Sequence, residues 1–164
     1  MKELYITNFH KKDWEEIRTI YKEGIETGYS TLETKIPTWE DWEKNLIKEC
    51  RLIAGNKDEI LGWAAITRFS NRKVYSGVGD VSIYIKKSGR GKGIGKKLLD
   101  ALVVESEKYG YWTLQSKIFS TNIPSINLHL KCGFRKVGLR KSFGKRQDKW
   151  QDILLMEKRS ENIK

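Results

Sequence analysis

The sequence predicts a mixed α/β fold in one domain: a mixed sheet with helices packed on it. Three observations predict it. Segments with strand periodicity and segments with helical periodicity interleave along the chain instead of occurring in separate blocks. No linker, internal repeat or low-complexity stretch divides the 164 residues. The composition, 38% hydrophobic with six tryptophans and only two prolines, is that of a chain that builds one real core. Residues 1–159 are read as the domain and 160–164, "SENIK" at its end, as a frayed tail.

Each element has its own signal. Leu4–Ile6 reads as a short strand. Asp13 is positioned to cap a helix with Glu16 three residues on, and Trp14, Ile17 and Tyr21 recur on one face. A second helix starts at "TWED", where Thr38 and Asp41 resemble a capping box and Trp39, Trp42, Leu46 and Cys50 form a stripe. "CRLIAG", a turn at "NKDE" and "ILGWAAITRF" read as a hairpin. "VGDVSIYI" alternates, with Asp80, Ser82 and Tyr84 on one face and Val81, Ile83 and Ile85 on the other. Leu98, Leu99, Leu102, Val103 and Tyr109 then repeat at helical spacing until Gly110 stops the helix. "YWTLQSKIF" is another strand. A short helix from Pro124 to Cys132 has its proline near the first turn and Gly133 beyond its end. Strands around "FRKVGLR" and "WQDILLMEK" finish the order: strand, two helices, three strands, helix, strand, helix, two strands.

The net charge of +11 is unevenly spread. Lys11–Glu49 carries seven bases against ten acids, whereas Lys86–Lys149 carries sixteen bases against four acids. Such a division points to an anion at the C-terminal half, although a solvated surface would carry the same charge. No apolar run reaches the roughly 18–20 residues of a membrane helix. The start, "MKELYITNFHKKDWEEI", lacks the apolar core of a secretory signal, so the cytoplasm is the expected compartment. Cys50 and Cys132 are isolated packing residues that form neither a disulfide framework nor a metal set.

"SGRGKGIGKKLL" places Gly89, Gly91, Gly93 and Gly95 at every second position among bases. It is not a dinucleotide fingerprint, because Ile94 and Lys96 stand where the third glycine belongs; nor is it a P-loop, because Arg90 and Lys97 occupy the required glycine and hydroxyl positions. What remains is R-x-x-G-x-G between a strand and a helix. A tight turn is one reading. A cradle is the other: side-chain-free positions let successive N–H groups converge on an anion, and the helix end adds roughly 0.3–1 kcal/mol.

"RGKGIGKKLL" after "VSIYI" resembles the acetyl-CoA signature of the GNAT N-acetyltransferase superfamily. "IYKEGIETGYSTLET", "RKVYSGVGDVSIYI", "FSTNIPSINLHLKCGFRKVG" and "GKRQDKWQDILLME" resemble its phosphinothricin N-acetyltransferase branch, in order and over nearly the whole chain. The resemblance implies a GNAT-like fold, with a central mixed, mostly antiparallel sheet of six to seven strands flanked by about four helices, acetyl-CoA as the acyl donor and the coenzyme's pyrophosphate as the anion. It implies that the backbone of Ile83, Tyr84 and Ile85 pairs with the pantetheine arm like an added strand. Arg90, Gly91, Lys92, Gly93, Ile94 and Gly95 would hold the diphosphate, with Lys96 alongside, Asn122 at the pantetheine or reacting end, and Lys131 also among the coenzyme-binding residues. Dimerisation is typical of such relatives, so a homodimer is expected, with the tryptophan-rich surface as one way to build it.

The implied chemistry is acetyl transfer to a neutral amine. An α-amine with a pKa near 8 is about a tenth neutral at pH 7, a cost of roughly 1.4 kcal/mol, against roughly 4.6 kcal/mol for a lysine-type amine. An acidic residue at the acceptor end can take that proton, typically for ~10²–10⁴ in rate. Asp80 is the candidate base, standing where the branch usually carries a glutamate; its shorter side chain favours a bridging water. His129 stands where many GNAT enzymes have a tyrosine that protonates the departing thiolate. With no Cys–His–acid set, direct transfer is expected over an acyl-enzyme. The resemblance places Tyr29, Ser30, Thr31 and Leu32, with Arg72 and Tyr75, at the acceptor, in a closed pocket lined by Tyr29, Leu32 and Tyr75. Relatives often have R-x-R where this chain has Ser70 and Arg72, and "ATF" where it has "STL". One arginine suits a single carboxylate better than a dianion. The acceptor expected is a small amino-acid-like amine such as phosphinothricin or methionine sulfoximine or sulfone. The alternatives are a protein N-terminus, a lysine or a polyamine. A basic nucleic-acid-binding module, without an aromatic–basic recognition motif to support it, is remote.

Overall fold

The computed structural model describes residues 3–164. Its elements follow the predicted order: β1 (Tyr5–Asn8), α1 (Trp14–Thr27), α2 (Trp39–Glu43), β2 (Leu46–Gly55), β3 (Ile60–Arg68), β4 (Val78–Ile85), α3 (Ile94–Lys108), β5 (Thr113–Phe119), α4 (Ile123–Lys131), β6 (Arg135–Arg146) and β7 (Lys149–Arg159). Among the described residues the seven strands form one sheet, ordered β1-β2-β3-β4-β5-β7-β6. Only the β4–β5 pair is parallel, and α3 supplies the crossover that a parallel pair needs. The rest of the sheet is antiparallel.

The alternation of β4 divides the core. Val81, Ile83 and Ile85 pack with Leu98, Leu99 and Leu102 of α3 and Ile126 of α4 on one face. Tyr84 faces the other way, joining Ile17, Ile20, Tyr21 and Ile25 of α1 and Trp39 of α2. That second face is aromatic. Trp63 is 1% exposed and stacks at 4.8 Å on Tyr84 and at 5.7 Å on Tyr21, with Trp42 edge-on at 5.0 Å. Trp39 and Trp42 pack on Phe9 and on Trp14, so most of the tryptophans expected to make a surface stabilise the interior instead; Trp150 remains exposed.

Several expectations need correction. Helix α2 ends at Glu43, and Leu46 and Cys50 belong to β2. Thr38 does cap α2, accepting from the Asp41 N–H at 3.2 Å. The β2–β3 register then shifts between Leu46 and Arg51. That irregularity breaks period two and leaves apolar residues at an accidental helical spacing. Asp13 does occupy the N-cap position of α1 but makes no side-chain cap bond there; its carboxylate accepts from the His10 N–H at 2.9 Å, and that of Glu16 accepts from the Ile60 N–H at 2.9 Å. Tyr109 lies past the last turn of α3 and is exposed. Strand β6 runs on to Arg146, well beyond "FRKVGLR". In the "SENIK" segment Ser160 and Asn162 both donate to Glu107, at 2.6 and 2.9 Å.

The β6–β7 hairpin reaches back across the molecule. Arg146 Nη2 donates to the Ile25 carbonyl at 2.9 Å, a second hydrogen bond to an oxygen at the C-terminus of α1 that already accepts from the Gly28 N–H at 3.1 Å. Gly144 packs so closely on Leu32 that a Cβ there would lie 2.3 Å from its Cδ1. The segment after α1 is thereby pinned to the far end of the sheet. Because Trp63 joins both stacks of the aromatic face, Trp63→Ala should cost about 3–5 kcal/mol of stability, read from urea unfolding midpoints.

Candidate active site

Strands β4 and β5 stay together for three pairs only: Val78 with Thr113, Gly79 with Leu114 and Asp80 with Gln115. Beyond them β4 remains on β3 as far as Ile85, and β5 remains on β7 as far as Phe119. The sheet therefore opens into a V. Strand backbones present alternate N–H and C=O groups to each side, so β4 above Asp80 offers an unpaired edge to the gap. A cavity of about 730 Å³ occupies the opening. Its walls include Val81–Ile85, Ser116–Ile118, the glycine loop and the inner face of α4.

The glycine loop forms the wide end. Gly91 and Gly93 have φ of +73° and +77°, with nothing within 4 Å of where a Cβ would stand. They are glycines for backbone conformation, not for lack of room. Gly93 is also the N-cap of α3 and has no side chain to cap with, so the first N–H groups of that helix stay open. Arg90, Gly91, Gly93, Ile94, Gly95 and Lys96 line the cavity. Arg90 is steadied by its Nε donating to the Ile85 carbonyl at 3.1 Å. Lys96 leans to Asp100 at 2.5 Å, and Lys92 is exposed outside the lining. Asn122 Oδ1 caps α4 by accepting from the Ser125 N–H at 3.3 Å, while Asn122 and Lys131 both face the cavity.

Asp80 lies at the apex, outside the cavity lining. Its Oδ1 accepts from Gln115 Nε2 at 2.7 Å and stands 3.8 Å from Lys117 Nζ. One step above, on the α4 side of the sheet, His129 is 2% exposed and both its ring nitrogens are engaged. Nδ1 is 2.7 Å from the Ser125 carbonyl, which can only accept; Nδ1 therefore carries the hydrogen. Nε2 is then the acceptor for the Ser116 hydroxyl at 2.9 Å. Burial lowers the imidazole pKa below its ordinary value, with the Ser125 carbonyl opposing in part. The ring is thus held neutral in one tautomer.

The residues expected at the acceptor, and their neighbours at the end of α1, divide. Gly24, Thr27, Tyr29 and Ser30 line the cavity, with Thr27 Oγ1 and Ser30 Oγ 2.9 Å apart. Thr31 stands beside the buried Tyr21 and Tyr84 phenols, both pushed up by burial, and Leu32 packs on the β6–β7 hairpin. Arg72 and Tyr75 are outside the lining, on the turn before β4, with the guanidinium 5.4 Å over the Tyr75 ring. The closed pocket expected from Tyr29, Leu32 and Tyr75 is thus represented in the cavity by Tyr29. Ser116, Gln115 and Lys117 were not singled out from the sequence. Ser116 does carry a signal: a lone hydroxyl between Leu114 and Ile118 on the apolar face of a strand needs a partner.

Gly93→Ala should destabilise the fold by about 1–2 kcal/mol through its left-handed backbone and weaken binding of coenzyme A in calorimetry. The depressed pKa of His129 has a definite sign. Below about pH 6.5 the unfolded chain takes up a proton that the native imidazole refuses, so stability falls as pH drops from there toward the native pKa. Thermal unfolding of the wild type between pH 7.5 and 5 should show that loss, and His129→Gln should lack this part of it.

The chain matches the family described as Acetyltransferase (GNAT) domain over residues 6–155. A phosphinothricin N-acetyltransferase of Alcaligenes faecalis is 29% identical over 148 residues, 87% of this chain and 75% of that one. An L-methionine sulfoximine/L-methionine sulfone acetyltransferase of Pseudomonas aeruginosa is 31% identical over 99 residues, 60% of this chain and 58% of its own length. The crystal structure of a GNAT superfamily phosphinothricin acetyltransferase from Sinorhizobium meliloti in complex with AcCoA matches with a TM-score of 0.83 and 26% identity, over 98% of this chain and 95% of that one. A ribosomal-protein-alanine N-acetyltransferase from Brucella melitensis matches with a TM-score of 0.87 and 25% identity, over 95% and 99% of the two chains. With the split sheet, the glycine loop and a match along nearly its whole length in agreement, the chain belongs to the GNAT acetyltransferase family.

Proposed function

We propose that this acetyltransferase carries acetyl from acetyl-CoA directly to the primary amine of a small amino-acid-like molecule, of the phosphinothricin or methionine sulfoximine/sulfone kind. The observation that carries the reading is the continuous cavity of about 730 Å³ running from the glycine loop, through the gap between β4 and β5, to the hydroxyls at the end of α1. The names of the relatives support the acceptor class.

The chain's own groups fit the coenzyme. The uncapped start of α3 and the left-handed Gly91 and Gly93 suit a pyrophosphate, with Arg90 adding charge. The open edge of Ile83–Ile85 suits an amide-bearing arm. Asn122 suits the same arm nearer the reacting end, and Lys131 an outer phosphate. When bound, the coenzyme supplies an activated acetyl thioester. At the apex, Asp80 takes the first proton from the ammonium, through water where the short side chain requires it, and Gln115 and Lys117 hold the carboxylate in place. Arg72 meets the acceptor carboxylate at the mouth, with Tyr29 and Tyr75 beside it and Thr31 and Leu32 supporting the segment behind. The site works inside one subunit, in a homodimer in the cytoplasm, without nucleic acid or membrane.

The test follows free thiol release from acetyl-CoA with methionine sulfoximine, phosphinothricin, common amino acids, spermidine and a basic peptide. Turnover is expected with a small amino-acid-like acceptor. Arg72→Ala should raise the acceptor KM at least tenfold, and Asp80→Asn should lower kcat by ~10²-fold or more. Turnover of the peptide or polyamine alone would overturn the acceptor class and keep the acetyltransferase.

A further inference from the structure

Resting on that reading of the cleft, we infer that Ser116 and His129 form a proton relay, in which Ser116 Oγ touches the reacting atoms and His129 Nε2 stores the proton between amine and sulfur. Four observations converge on this pair. Both residues line the cavity although each is 2% exposed. Ser116 follows directly on Gln115, the last residue of β5 paired to β4, so its hydroxyl lies next to the apex of the V. The hydroxyl donates to Nε2 at 2.9 Å. The opposite nitrogen is locked on the Ser125 carbonyl at 2.7 Å, and Phe134 packs edge-on at 5.0 Å to fix the ring plane. A hydroxyl, a base and a group that orients the base is the arrangement that moves protons in other active sites.

Two protons must leave the acceptor nitrogen, and Asp80 accounts for one. Once neutral, the amine attacks the thioester carbon, a C–N bond forms, and the nitrogen becomes cationic. Its proton passes to Ser116 Oγ as the serine's own proton passes to His129 Nε2. The C–S bond then breaks and its electron pair leaves with the sulfur. The imidazolium returns its Nε2 proton to Ser116 Oγ, and the serine proton goes to the thiolate. Serine and histidine end as they began, and the products are an amide and a free thiol. The direction is downhill: a buried imidazolium is a stronger acid than a thiol of pKa near 8.5. His129 acts through the serine and is a positioning and storage residue; the group in contact is Ser116.

Steady-state kinetics, mass spectrometry and imidazole ¹⁵N NMR on the full chain test the relay. Ser116→Ala should lower kcat by about 10²-fold or more while the KM for acetyl-CoA stays unchanged. Ser116→Thr, which restores the hydroxyl, should recover most of it. His129→Gln can accept from Ser116 but holds no proton, so it should match Ser116→Ala, and the double variant should lose no more. In the free protein at pH 7, NMR should show neutral His129 with hydrogen on Nδ1 and an Nε2 resonance that moves in Ser116→Ala. Wild-type turnover with an unimpaired Ser116→Ala, additive losses, an Nε2–H tautomer, or an acetyl adduct trapped on Ser116 would each overturn the relay. Wild-type silence with every acceptor would instead overturn the function reading, and the NMR, which needs no acceptor, would still decide the pair.

Discussion

The separation of β4 from β5 after three residue pairs is the constraint on which the rest of the molecule depends. A sheet that stayed closed would satisfy its own backbone groups and leave nothing for a ligand. The separation is held open from both sides. Each strand keeps a long antiparallel ladder with its outer neighbour, β4 with β3 and β5 with β7, so neither can drift across. Below the opening, the Gly77 carbonyl accepts from both Trp112 and Thr113, at 2.8 and 3.1 Å, and pins the two halves at one point. Helix α4 fills one side, and its Leu128 packs against Gly95 at the start of α3. The cleft, the open helix end and the apex residues are consequences of this one topological break.

The two faces of the split sheet do different work. On one, α3 and α4 bring an electropositive helix end and the buried Ser116–His129 pair to the same gap. On the other, the stacked Tyr21, Trp63 and Tyr84 give α1 a rigid bed, close enough at Gly24 that a Cβ would meet the Tyr84 ring at 2.4 Å. The hairpin of β6 and β7 then fastens the segment after α1 through Arg146 and Leu32. Rigid aromatic packing and a long-range tether both reduce the freedom of the segment after α1, where Tyr29 and Ser30 line the cleft. The charge division follows the same plan, with the basic half beside the glycine loop.

Most of the fold was legible because its signals are local. The Asn56 turn, the Thr38 cap, the Pro124 start of α4 and the glycine stops depend on residues a few positions apart. Errors fell where a non-local pairing overrode a local pattern. Leu46 and Cys50 kept helical spacing but were drawn into β2 by pairing with β3, and Glu16 turned from its own helix to the Ile60 N–H, 44 residues away. Burial of the tryptophans was equally invisible, since one residue type serves a surface or a core according to what packs on it.

By itself the sequence determined the element order, the alternation of β4 and the glycine loop, because φ preferences, capping and period-two patterning act within a few residues of chain. It also marked Asp80, Asn122 and His129 as chemically notable. Only the tertiary structure decided what these residues touch. Asp80 meets Gln115 across 35 positions, His129 meets Ser116 across 13, and Arg146 meets Ile25 across 121. The reason is physical. A side chain's partner is set by strand register, by the crossover that makes β4 and β5 parallel, and by where that pairing stops, and each of these is a property of the whole packed sheet.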